Sequence, residues 1–422
     1  MRVRRALFLG LFLLFSLAMT FVLGEWYVRT QGGRDADGTF VFRGRPIRPY
    51  GLPVHKARGI VDQYLSSSTS FLIYDPDLGW RHRPNARTAD QLHRTNAAGL
   101  RADREYSAAM KPGLFRVSMF GDSFVLGSDV DQPDAPGAQL EKLLKLRGLD
   151  AEVLNFGVGG YGFDQAWLHY RGDGPHYETS VIVQGLQFEN IGRNVTLFRI
   201  VAVPGTVIPF SKPRYVLRNG GMELVNQPAV PPEQVPAVLA HFREWPLAKY
   251  EASYAESYRR HWYTPSLLVS TLVELWNARK GAQSANASAL YDVDGEGMSI
   301  TVKLLEGWRD EVTRAGKPFV LIYLPRAESI SAGMTGRPDP WQPHLDRLHG
   351  FTIVDPTPRM VRYAKVHGMT ALMPGHYSAA GYRIVAETLA DALAPLAMEQ
   401  RNGPRYRPGS KSSIGLPSGS SN

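Results

Sequence analysis

Cysteine is absent from all 422 residues, which excludes disulfide bonds and thiolate chemistry. The absence is compatible with an exported bacterial protein. Acidic residues are scarce at both ends of the chain. None occurs from residue 400 onward, where Arg401, Arg405, Arg407 and Lys411 stand, and Arg2, Arg4 and Arg5 precede the first acid, Glu25. These seven basic residues carry most of the net charge of +9 and leave about +2 for the body. A body so nearly balanced lacks the clustered basic surface that phosphate binding needs, so nucleic acid is excluded as a partner. A hydrophobic content of 44% with 19 Tyr and 8 Trp excludes a mainly disordered chain. The length suits one large α/β domain with insertions, or two domains.

Residues 6–23, "ALFLGLFLLFSLAMTFVL", form an uncharged apolar run of 18 residues behind the arginines of "MRVRR". A run of that length crosses a bilayer as a helix, and the arginines hold its start in the cytoplasm. Cleavage after the small Gly24 is the competing reading, but the run exceeds the usual signal-peptide core of about 7–15 residues. Residues 1–26 are therefore expected to be a membrane anchor in the bacterial inner membrane. Either reading puts the body on the periplasmic or extracytoplasmic side.

Residues 27–70, rich in Gly, Pro and Arg, read as a linker. A domain is expected over 71–398. It opens with a hairpin-like stretch, "FLIYDPDLGWRHRPN". From residue 115 strand-like runs ("RVSMF", "AEVLNFGV", "SVIVQGL", "PFVLIYL", "FTIVD") alternate with helix-like ones, which predicts a parallel sheet covered on both faces. Residues 195–297 break that rhythm and read as a mixed insertion, with a hairpin over Asn219-Gly220-Gly221 and a helix at "LLVSTLVELWNAR". The Ser/Gly/Pro-rich tail, 399–422, is expected to be disordered. No internal repeat is apparent.

Four short segments carry the chemistry. "FGDSFVLG" sets Ser123 directly after an apolar strand pattern; Gly, Asp and Ser suit a plain turn, but a serine at a strand-to-helix turn is also an exposed nucleophile. "NFGVGGYG" supplies Gly157, Gly159 and Gly160, whose bare backbone can approach a substrate. "FENIGRN" supplies Asn190 as an amide donor. "PGHYSAAGY" supplies His376 just ahead of Ser378, the expected N-cap of the last helix. A serine, a histidine and amide donors on separate loops are what acyl transfer requires. Gly157, Gly159 and Gly162 also fit G-x-G-x-x-G, a dinucleotide-binding alternative that leaves Ser123 unexplained. "DVDGEG" hints at a calcium loop, but Lys303 stands where the bidentate Glu is needed, so it reads as a solvated turn and no metal or cofactor is expected.

In their order these blocks resemble the SGNH hydrolases, also called the GDSL esterase/lipase superfamily, over roughly residues 71–395. The resemblance implies a three-layer α/β/α, flavodoxin-like fold with Ser123 as nucleophile and His376 as catalytic base. It places the oxyanion hole at the Ser123 N–H, Gly160 and Asn190, although the usual Gly-x-Asn-Asp form around Asn190 is altered. "YDPDLGWRHRPN" and "KPRYVL" resemble the bacterial membrane-tethered members associated with cell-surface polysaccharides. The expected activity is cleavage or transfer of an O-acyl ester group on a small molecule or a polysaccharide. The alternative is a catalytically silent carbohydrate-binding or scaffold protein of polysaccharide assembly, and Trp262 and Tyr263 would stack on sugars in either case. One departure stands out: the family's triad acid lies two or three residues before the histidine, where this chain has Pro374 and Met373. The expectation is a Ser–His dyad whose His376 Nδ1–H is accepted by a backbone carbonyl.

Overall fold

Five apolar runs form the central sheet: β1 Phe115–Phe120, β2 Ala151–Asn155, β3 Val181–Leu186, β4 Phe319–Tyr323 and β5 Thr352–Val354. The computed structural model describes residues 2–203, 205–281 and 288–402. All pairings in this sheet are parallel, in the order β5-β4-β3-β1-β2, with Val117 opposite Val153 on one side and Val181 on the other. Every residue of β1, β3 and β4 is buried, as a parallel sheet covered on both faces requires.

Strand alternation splits the core in two. Val117, Met119, Val183, Val320 and Ile322 join one cluster with Leu140 and Leu144 of helix Pro136–Leu146 and Leu389 and Leu393 of helix Ala379–Asn402. Phe120, Ile182, Leu186, Leu321 and Tyr323 join the other with Trp167 of helix Phe163–Asp173 and Leu304, Leu305 and Trp308 of helix Glu296–Arg314. Period-two side-chain direction is therefore what assigns each helix its face.

The first helix runs Arg2–Gln31, past the end of the apolar run, and is long and apolar enough to cross a membrane; Leu7, Phe8 and Leu14 are exposed. Residues 27–70, expected as a linker, are ordered. They finish this helix and then form a three-stranded antiparallel sheet (Gly32–Arg34, Phe40–Phe42, Arg45–Ile47) and helix Val54–Ser66. Strands of three residues are too short to print an alternating pattern in the sequence, which is why composition alone pointed to a linker.

The hairpin near residue 75 pairs Leu72–Asp75 with Gly79–His82 and buries Trp80 completely. Within 195–297 the expected hairpin pairs Arg214–Arg218 with Gly221–Val225. Its turn residues Asn219 and Gly220 have φ of 49° and 79°, as a two-residue hairpin loop of the type I′ kind needs. The expected helix spans Leu267–Gly281. The last helix continues to Asn402, so the tail expected from residue 399 begins helical, and residues 403–422 lie outside the described residues.

Candidate active site

In the order β5-β4-β3-β1-β2 the chain leaves β1 toward β2 and then returns to the other side at β3. The carboxyl ends of β1 and β3 thus flank the point where the winding reverses, which is where open α/β sheets gather ligands. Ser123 follows β1 and Asn190 follows β3. Gly121 makes the turn between β1 and Ser123: its φ is +152°, and a Cβ there would stand 2.5 Å from Val125 Cγ2. Asp122 then caps the short helix Ser123–Leu126 by accepting a hydrogen bond from the Phe124 N–H at 2.9 Å.

Ser123 Oγ lies 2.9 Å from His376 Nε2. His376 Nδ1 lies 3.1 Å from Asp129 Oδ2, and the His376 backbone N–H donates to the same oxygen at 3.0 Å. An ionised carboxylate only accepts, so Nδ1 carries the proton and Nε2 faces the serine as acceptor. The expected backbone carbonyl is therefore not the partner of Nδ1: a carboxylate occupies that position, and the Ser–His dyad becomes a Ser–His–Asp arrangement. This carboxylate stands six positions after Ser123, on the loop that follows it, rather than in the segment before the histidine. His376 itself does not directly follow a strand. It sits between the short helix Met369–Leu372 and helix Ala379–Asn402, whose first turn Ser378 caps by accepting from the Gly381 N–H at 3.3 Å. Partial burial works to raise the Asp129 carboxyl, but the His376 backbone and ring hydrogen bonds and the ring's charge outweigh it and hold the carboxyl below its ordinary range.

Asp129 owes its place to Arg101, which the sequence reading did not single out. This guanidinium is 1% exposed. Its five N–H groups serve Gln132 Oε1 at 3.0 Å, the carbonyls of Leu126 and Val130 at 2.6 Å each, the Leu92 carbonyl at 3.3 Å, and the Gly127 carbonyl. It thereby binds the last carbonyls of the nucleophile helix, a favourable place for a cation, and clamps both ends of the turn that presents Asp129. Burial brings its pKa down to about 10, so it stays charged at neutral pH.

A second arginine joins the three donor segments. Arg193 Nη1 donates to Asp122 Oδ2 at 3.0 Å, to the Tyr161 carbonyl at 3.1 Å and to Asn190 Oδ1 at 2.7 Å. One nitrogen thus holds the loops of Ser123, Gly160 and Asn190 together. Because arginine only donates, the Asn190 atom facing it is the oxygen, and the amide NH₂ is turned elsewhere. Gly160 has φ +84°, and a Cβ there would crowd Trp80 and Ile208 at 3.3 Å each. Among the described residues, the Ser123 N–H, the Gly160 N–H and the Asn190 NH₂ meet no acceptor. Three donors from loops tied to one guanidinium are suited to a developing oxyanion.

No family model matches the chain, and no curated protein matches it. Among solved structures it is similar to a protein of Desulfitobacterium hafniense DCB-2 assigned to the lipolytic G-D-S-L family (10% identity, 66% of this chain and 99% of that one, TM-score 0.31). It is also similar to a lipase/acylhydrolase of Enterococcus faecalis (11%, 67% and 96%, TM-score 0.34) and to an alpha/beta hydrolase from the metagenome of Lake Arreo, Spain (12%, 68% and 97%, TM-score 0.35).

Proposed function

We propose that the chain is a serine hydrolase acting on ester bonds, releasing an O-acyl group to water or passing it to another hydroxyl. The observation that carries this reading is the line of hydrogen bonds from Ser123 Oγ through His376 to Asp129. Ser123 Oγ attacks the acyl carbon while its proton passes to His376 Nε2, and Asp129 steadies the imidazolium. The carbonyl oxygen, now negative, is met by the Ser123 N–H, the Gly160 N–H and the Asn190 amide. His376 returns the proton to the leaving alkoxide, and water or an acceptor hydroxyl then takes the acyl group from Ser123 by the same steps. The chain's own groups complete this cycle with no cofactor.

The first helix would anchor the enzyme in the inner membrane with the domain on the extracytoplasmic side, in reach of an acylated surface polysaccharide. Trp262, 91% exposed, and Tyr263 are suited to stacking on sugar rings. The catalytically silent scaffold drew its support from the missing triad acid, and a carboxylate at Nδ1 weakens that ground. Full-length protein in detergent should take a serine-reactive fluorophosphonate and hydrolyse short-chain aryl esters. Ser123→Ala should abolish the label and slow turnover by about 10³-fold or more. If the unaltered protein neither labels nor turns over any ester, the binding-protein reading replaces this one.

A further inference from the structure

Three arginines gather beside the candidate oxyanion loops, and two of them are paired. Arg193 meets Asp122 and Glu189 at 3.0 Å each, and Arg326 meets Glu189 at 3.3 Å and Glu328 at 2.8 Å. The Glu189 carboxyl is held down to about 2, chiefly by Arg193, against burial and with help from Arg326. The third, Arg199, forms no ion pair and no side-chain hydrogen bond among the described residues. Its Nε is buried without an acceptor, and the residue as a whole is half-buried. Nε lies 3.6 Å from the point where a Cβ on Gly160 would stand, so the guanidinium borders the glycine that offers its N–H to the oxyanion. Burial lowers its pKa to about 10, with the charge of Arg193 acting the same way. Glu189 and Asp122 oppose that shift through space, but neither forms an ion pair with the guanidinium. A partly desolvated cation with no directly bonded counter-charge is costly unless a ligand supplies one.

We infer that Arg199 is an anion-recognising subsite, and that the ester taken by Ser123 carries a carboxylate, sulfate or phosphate close to the scissile bond. The inference rests on the ester-hydrolase reading and narrows its substrate class. Asp122 and Glu189 act on Arg199 only through space; their ion pairs are with Arg193 and Arg326. The planar fork of the guanidinium fits an oxyacid group through its Nη groups. The anionic group belongs either to the acyl chain or to the alcohol, and both place the same chemistry beside Gly160.

Matched esters separate these cases. One pair is mono-4-nitrophenyl glutarate and its methyl ester, with the anion on the acyl side. The other is 4-acetoxybenzoate and its methyl ester, with the anion on the alcohol side. The quantity read is the ratio of kcat/KM for the charged ester to that for the neutral one, in full-length protein. The expected result is a preference for the charged ester in one pair, which identifies the side, and a fall of about 10- to 100-fold in that ratio in Arg199→Gln, carried by KM, with part retained in Arg199→Lys. A cation that acted only on the oxyanion would speed both members of a pair alike and leave the ratio where it was. No preference in either pair, or a ratio that survives Arg199→Gln, overturns the inference. Should no ester be turned over at all, the hydrolase reading fails separately. Calorimetric binding of mono-4-nitrophenyl glutarate and of 4-acetoxybenzoate to Ser123→Ala, compared with Ser123→Ala/Arg199→Gln, then decides the subsite: loss of binding in the double variant supports it, and equal binding or none to either protein overturns it.

Discussion

At the scale of single residues the site depends on Asp129. Its carboxylate receives two hydrogen bonds from His376, one from the ring and one from the backbone, so it sets both the tautomer and the position of the loop. Asp129→Asn presents an amide that accepts through one atom only and no longer balances the imidazolium. The loss in a buried serine-protease triad is about 10⁴ in kcat. Here the side chain is 47% exposed, so water can screen the imidazolium, and a loss of about 10³ in kcat with little change in KM is expected from ester kinetics. Activity within tenfold of the unaltered protein would return the site to a dyad. Ser123, His376, Gly160 and Asn190 could be picked out as candidates because each stands in a short motif beside a strand or a helix start, and the structure brings Ser123 and His376 within hydrogen-bonding distance. Asp129 could not be picked out in this way. Its pairing with a histidine 247 positions later is a long-range contact that no spacing encodes, and "GSD" by itself reads as a loop after a helix. Arg101, Arg193 and Arg199 were illegible for a related reason: an arginine in a sequence reads as surface charge, and only the fold shows which guanidinium is enclosed.

At the scale of elements the helix Ser123–Leu126 is a single turn, too short to be stable by its own hydrogen bonds. Packing fixes it instead. Val125 fits against Gly121 and Gly185, where a Cβ would lie 2.5 and 2.4 Å from its Cγ2. Gly121→Ala meets both that contact and the left-handed φ, and should cost about 1–3 kcal/mol in denaturant unfolding while displacing Ser123 enough to lower kcat. The first helix is similarly built into the domain. Glu25 accepts hydrogen bonds from Ser266 Oγ at 2.8 Å and from the N–H groups of Leu267 and Leu268 at 3.1 and 2.8 Å, so it caps helix Leu267–Gly281 from across the chain, and Gly24 lets Leu268 approach closely. The first helix is therefore a structural part of the fold, and its removal uncaps helix Leu267–Gly281. Glu25→Ala should lower stability by about 0.5–2 kcal/mol, the usual worth of a lost N-cap, in chemical unfolding of the full chain in detergent. Four of the five sheet strands, five or six residues each, and the helices that cover them were legible as apolar and helix-period runs, and the three-residue β5 only through its apolar "FTIVD"; the small sheet at 32–47 and the cross-chain cap were not, because each depends on partners far away in sequence.

At the scale of the whole molecule, acid sensitivity follows from histidines enclosed during folding. His82 is 3% exposed, its Nε2 meets no acceptor, and burial pushes its pKa down to about 3, with the charges of His169 and His93 adding to the effect and a hydrogen bond with the Gly99 backbone opposing it. Burial lowers His93 as well, and His344 with it. In the unfolded chain these imidazoles take up a proton below about pH 6.5, whereas folded His82 stays neutral until about pH 3. Between those values the unfolded state binds more protons, so stability rises with pH and is lost as pH falls, by at most about 1.4 kcal/mol per pH unit for such a group. Glu189 acts in a lower window. Its carboxyl is depressed to about 2, so its contribution is intact above the unfolded value of about 4.3 and disappears only as pH drops below that. From pH 7 to pH 5 the loss comes from the histidines rather than from Glu189, and the buried Glu251 carboxyl, raised by burial, works against it. The melting temperature of the full chain should therefore fall by several degrees over that interval, and His82→Gln, which keeps a side-chain donor for the Gly99 backbone but cannot titrate, should show a clearly shallower fall despite a lower value at pH 7. A variant whose melting temperature tracks the unaltered protein in parallel from pH 7 to pH 5 would move the acid-sensitive group away from the hairpin and onto His93 or His344.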